Sequence, residues 1–127
     1  MTWGIFRRDQ RGATAVEFAL TIPAFVALIL AITDGAMLMW TQIGLQHGAE
    51  MAARCAAVDT TRCGSNDNIK SYAADRAYGL GGVTSSAYSV STAACGKTVS
   101  ASYTYSFISS YLGVPTVTLT AKSCFPS

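Results

Sequence analysis

From Ala13 to Trp40 the chain is almost wholly apolar, and between Glu17 and Asp34 no charged residue interrupts it. With the uncharged Gly35 to Trp40 added, the run reaches the roughly 20 residues that a membrane-spanning helix needs. The spacing places a transmembrane segment at about 18–40. Pro23 lacks the N–H that would bond the Ala19 carbonyl, so a kink or local loosening is expected there. Asp34-Gly35 is a second weak point, expected near the outer interface, where Trp40 suits either an aromatic belt or helix packing.

Beyond Trp40 the helical pattern continues. Gln42, Gln46, Glu50 and Arg54 recur every four residues as a polar stripe, with Glu50 set to pair with Arg54. Gly44, Gly48, Ala52 and Ala56 form a second stripe of small residues, on which another helix or the globular part can approach closely. One helix over 13–57 results, roughly twice as long as a bilayer requires. Asp59 to Asn66 is turn-rich. Asn66-Asp67 is then placed to cap a short second helix with Ile69, Tyr72, Ala73, Arg76 and Ala77 on one face, ended by Gly79-Leu80-Gly81-Gly82.

From Ser86 the period changes to two. Tyr88, Val90 and Thr92 alternate with serines; Val99, Ala101, Tyr103, Tyr105 and Phe107 alternate with hydroxyl residues; Val117, Leu119 and Ala121 do the same. Three strands with one apolar face imply a one-faced antiparallel sheet, its first two strands joined near Ala94 to Lys97. That face needs a cover, and so does the outer half of the long helix. The expected fold is α+β: a leader over 1–12, the helix over 13–57, and a small domain over 58–127 whose sheet and short helix pack on the helix shaft.

At 127 residues the chain has room for one small domain, and such a core needs staples. Its four cysteines, Cys55, Cys63, Cys95 and Cys124, fit disulfides in an oxidising compartment. Three connectivities are possible, and locality favours Cys55 with Cys63 and Cys95 with Cys124. The second bond closes a loop of about 30 residues and should contribute roughly 3 to 4 kcal/mol. Independently, Arg7, Arg8 and Arg11 outweigh Asp9 before the span, which keeps that end cytoplasmic and sends the C-terminal part out. A signal peptide also starts this way, but the apolar core is longer than usual for one and no small-x-small cleavage site follows it.

The candidate chemistry is thin. No CxxC occurs and His47 is the only histidine, so a metal site has no ligand set. Without a Ser/His/Asp set, paired carboxylates or a phosphate loop, neither an enzyme nor a cofactor is expected. The net charge of +2 is scattered, which gives nucleic acid no basic patch to bind.

One register does carry meaning. A cut after Gly12 would make Ala13 the new N-terminus and Glu17 its fifth residue, directly before the aromatic Phe18. This arrangement resembles the processing site of type IV prepilins, and in particular the TadE-like minor pilins and pseudopilins of the tight-adherence (Tad) pilus. The resemblance implies a prepilin peptidase as a partner. It also implies other pilins or pseudopilins, an inner-membrane assembly platform and the lipid bilayer. It implies a chain held in the bacterial inner membrane, with a cytoplasmic N-terminus and a periplasmic or extracellular domain, that helps initiate, assemble or regulate the pilus. In such pilins the carboxylate equivalent to Glu17 meets the α-amine of a neighbouring subunit. Ala13 departs from the phenylalanine found there in many type IV pilins, and the chain is longer than the short major pilins of Tad systems, which points to a minor component. The alternative is an unprocessed bitopic envelope protein that binds an assembly partner through its sheet or through the Gly44 and Gly48 face.

Overall fold

The computed structural model describes residues 11–79 and 82–126. The leader expected over 1–12 falls mostly outside the described residues, as do Leu80 and Gly81 of the expected glycine linker. The elements run in the order α1 (Arg11–Val58), α2 (Asn66–Arg76), β1 (Tyr88–Ala93), β2 (Gly96–Tyr105) and β3 (Val117–Phe125). Short 3-10 turns at Ser85–Ala87 and Ile108–Leu112 complete them. The chain divides into two compact units, one reaching Thr33 and one starting at Asp34.

The first unit is the N-terminal part of α1. Every residue from Gly12 to Ile29 is exposed, and the helix is long and apolar enough to cross a membrane. Helix begins at Arg11, two residues before the expected start at Ala13. Pro23 lies inside the element. Thr21 donates its hydroxyl to the Glu17 carbonyl and Thr33 donates to that of Ile29, so both hydroxyls are satisfied within the helix, as hydrocarbon surroundings demand.

In the second unit, β1 pairs with β2 from Tyr88↔Ala101 to Ala93↔Gly96, and β2 pairs with β3 from Lys97↔Phe125 to Tyr105↔Val117, both antiparallel. The order β1-β2-β3 is the simplest meander. Tyr88, Val99, Ala101, Tyr105, Leu119 and Ala121 are buried in one core with Leu45, Ala49, Ala52 and Ala56 of α1 and Ile69 and Ala73 of α2. The period-two pattern therefore marks the face that packs on the helix.

Several details depart from the sequence reading. α1 is helical through Asp34 and Gly35. The cap of α2 is Ser65, whose hydroxyl accepts from the Asn68 N–H; Asn66 and Asp67 fall in the first turn, where the charge of Asp67 suits the helix dipole. The same helix ends at Arg76, before the glycines, because Ala77 already has extended backbone angles. Phe107 lies beyond the end of β2, and β3 runs on past Lys122 through Phe125. Glu50 accepts a hydrogen bond from Gln46 at 2.9 Å, and among the described residues no ion pair joins it to Arg54. Thr98 breaks the alternation: it is buried on the hydroxyl face, opposite Cys124 in the ladder and 3.6 Å from the sulfur of Cys95.

Tyr88 gives the core a pH signature. Its hydroxyl donates to the Leu45 carbonyl at 3.3 Å, and burial pushes its pKa from the ordinary 10.0 to about 12. Because the folded state disfavours the phenolate, the stabilisation is complete below the unfolded pKa near 10.0 and is lost as pH rises to about 12. The urea midpoint of the globular unit should hold steady up to that window and fall within it. Tyr88→Phe should flatten the fall, and an unchanged slope in that variant would assign the loss to another group. Tyr105 is also raised, by burial and then by the charges of Asp34 and Tyr103.

Candidate functional site

Gly12, Ala13, Glu17 and Phe18 occupy one exposed stretch of α1. Ala13 and Glu17 are four residues apart and share a helix face. Phe18 is 70% exposed, and Val16, Leu20 and Ile22 are exposed beside it. Among the described residues the Glu17 carboxylate has no ion-pair or hydrogen-bond partner. A Cβ built at Gly12 meets nothing within 4 Å, so the fold itself makes no demand for glycine there. Among the described residues the segment thus presents a carboxylate without a partner on an uncovered apolar surface.

The small residues Gly44, Gly48 and Ala52 sit in the second unit, and the globular part of the chain fills their face. A Cβ at Gly44 would lie 1.7 Å from the Tyr78 carbonyl oxygen; at Gly48 it would lie 2.5 Å from the Tyr88 hydroxyl and 2.7 Å from the Ala73 carbonyl oxygen. Ala52 is fully buried. The adjacent polar stripe has a comparable role: Gln42 donates to the Thr120 carbonyl at 2.8 Å and Gln46 to that of Lys122 at 3.3 Å. Both tie α1 to β3, an edge strand with carbonyls that β2 does not use.

The cysteines are joined as Cys55–Cys63 and Cys95–Cys124, with Cα separations of 5.9 and 6.3 Å. The first bond fastens the end of α1 to the turn before α2. The second ties the β1–β2 hairpin to the end of β3. His47 is exposed and stands 3.2 Å from the Arg76 carbonyl, with its ring 5.7 Å from that of Tyr78. Trp40 also rests against Tyr78, at 5.2 Å. Among the described residues no group of three His, Cys, Asp or Glu side chains is placed to hold a metal.

Sequence reasoning missed one residue of consequence. Asp34 is buried, and its carboxylate accepts from the Ile108 N–H at 2.9 Å, from the Ser109 N–H at 3.1 Å and from the Ser109 hydroxyl. Three donors satisfy the charge that burial would otherwise penalise. The β2–β3 connection is thereby fixed to the first residue of the globular unit. The available signal was a lone carboxylate in an apolar run, which must find donors somewhere.

No curated protein and no solved structure matches the chain. Residues 12–54 match the family model described as TadE-like protein, so the similarity covers the helix that carries Gly12, Glu17 and the small-residue stripe.

Proposed function

We propose that this chain is a non-catalytic minor pilin or pseudopilin of a Tad-type pilus, cut between Gly12 and Ala13 by a prepilin peptidase. The observation that carries the reading is the register of Gly12, Glu17 and Phe18 on an exposed apolar helix within the TadE-like match. Before assembly the helix anchors the subunit in the bacterial inner membrane, with the arginine-rich end cytoplasmic and the disulfide-bonded domain periplasmic. Cleavage frees the α-amine of Ala13. In the assembly that amine, mostly protonated at neutral pH, meets the Glu17 carboxylate of a neighbouring pilin, and each offsets the other's burial. The same subunit then takes part in initiating, assembling or regulating the filament at the inner-membrane platform.

Processing is tested by the N-terminal sequence of the protein recovered from cell membranes. Ala13 should be the first residue, and Gly12→Ala should accumulate uncut precursor. A Cβ at Gly12 meets nothing within 4 Å, so the substitution should leave the fold unchanged. An intact N-terminus in cells with a working Tad system would overturn the reading. It would favour the unprocessed envelope protein, whose partner would have to dock on the sheet's hydroxyl face, because Tyr78, Ala73 and Tyr88 already occupy the Gly44 and Gly48 face.

A further inference from the structure

The β2–β3 connection, residues 106–116, carries an exposed apolar tip for which the domain core has no use. Tyr111 is 98% exposed, Leu112 77% and Ile108 50%, and Val114 joins them. No charged residue occurs anywhere between Lys97 and Lys122. An uncharged patch of this kind on a small domain marks a contact surface. Its position names the occupant. Ile108 and Ser109 are hydrogen-bonded to Asp34, and Asp34 is the first residue of the globular unit, bonded to Thr33 at the end of the apolar first unit. These hydrogen bonds hold the tip at the first residue of the globular unit, one peptide bond from the apolar first unit. Lys97 lies at the hairpin end of the strands and Lys122 near their middle, opposite Ser100, while Tyr105 and Val117 close the end next to the connection.

We propose that the 106–116 connection is an interfacial anchor that inserts Tyr111 and Leu112 into the headgroup region of the outer leaflet while the subunit waits in the membrane. The inference rests on the membrane anchoring proposed above. Tyrosine suits this depth, with an apolar ring below and a hydroxyl reaching water. Leucine supplies buried apolar area. Asp34 is the positioning residue: by holding the first two N–H groups of the Ile108–Leu112 turn it keeps the tip at the start of the globular unit. A domain held at two points cannot swing freely about its helix, which presents it to a growing assembly in a restricted set of orientations.

The test uses the full chain with Trp3→Phe and Trp40→Phe, reconstituted in phosphatidylethanolamine–phosphatidylglycerol vesicles with or without bromine on the acyl chains. One tryptophan is then introduced at a time. Leu112→Trp and Tyr111→Trp should show blue-shifted emission and lose much of it in brominated lipid. Phe25→Trp, inside the apolar run, should be quenched as well, and Thr92→Trp, roughly 25 Å along the sheet from the Tyr105 end, should not. Quenching of Phe25→Trp without quenching at either tip position would overturn the anchor and leave the membrane helix standing. Absence of quenching at Phe25→Trp would overturn the membrane reading itself. A blue shift at the tip that grows with the protein-to-lipid ratio but is insensitive to bromine would place a second protein copy on the tip, and would also overturn the proposal.

Discussion

Glu17→Gln is expected to enter the membrane at least as readily as the wild-type chain and to be nearly absent from sheared pilus or assembly-complex fractions. The two outcomes separate because the carboxylate faces a different environment at each stage. In the bilayer an ionised carboxylate is costly and a neutral amide of the same size costs less, so the membrane pool should be undiminished. In the assembly the amide leaves a neighbour's ammonium buried without its counter-charge, which is far more damaging than never having had the pair. Retention in the assembly should fall roughly a hundredfold or more at the energies typical of such broken pairs. The structure adds that Glu17 has no intramolecular role to lose: its carboxylate is exposed and unpartnered among the described residues, and Thr21 bonds its backbone carbonyl, which the substitution retains. Equal recovery of the variant and the wild type, each normalised to its membrane pool, would show that Glu17 does not pair in the assembly.

Gly44→Ala should destabilise the globular unit strongly, although alanine is the better helix former by about 1 kcal/mol. The added methyl would stand 1.7 Å from the Tyr78 carbonyl oxygen and 2.7 Å from the carbonyl carbon. Backbone on the far side cannot rotate away as a side-chain tip can, so the segment after α2 has to retreat from α1. It would carry along the contacts of Tyr78 with Trp40 and His47. Overpacking of this kind typically costs about 1 to 3 kcal/mol, which in a unit of this size lowers Tm by roughly 4 to 8 °C per kcal/mol. Gly35→Ala is the matched control. It lies in the same helix, its added methyl would meet nothing within 4 Å, and it should leave Tm unchanged or raise it slightly. Similar thermal shifts in the two variants would show that helix propensity, and not the approach of Tyr78, governs both positions.

The sequence by itself determined whatever depends on periodicity and on local chemistry. An apolar run too long for a small core, a change from helical spacing to strict alternation at Ser86, and cysteines near element ends were enough for the α+β class, the three strands and their facing side. The strand pattern was legible because Val99, Ala101 and Tyr105 bury one face against a single cover, so the period of two survives in the side chains. The register of Gly12 with Glu17 and Phe18 was equally open to reading, since it is a linear signal and needs no fold to exist.

Only the tertiary structure decided which of several equivalent residues does what. Gly12, Gly35, Gly44 and Gly48 all stand in one helix, yet two face open space and two admit backbone or a buried tyrosine hydroxyl at distances no methyl allows. The small-residue stripe set Gly44 and Gly48 apart in the sequence, but the atoms that fill their face come from Ala73, Tyr78 and Tyr88. Gln42 and Gln46 were legible only as part of a polar stripe, and the edge of β3 supplies their acceptors. Asp34 looked like an interruption in the helix, and the donors that make it a fixed point lie 74 and 75 residues away. A buried carboxylate is tolerated only where donors converge on it, and convergence is a property of the folded chain.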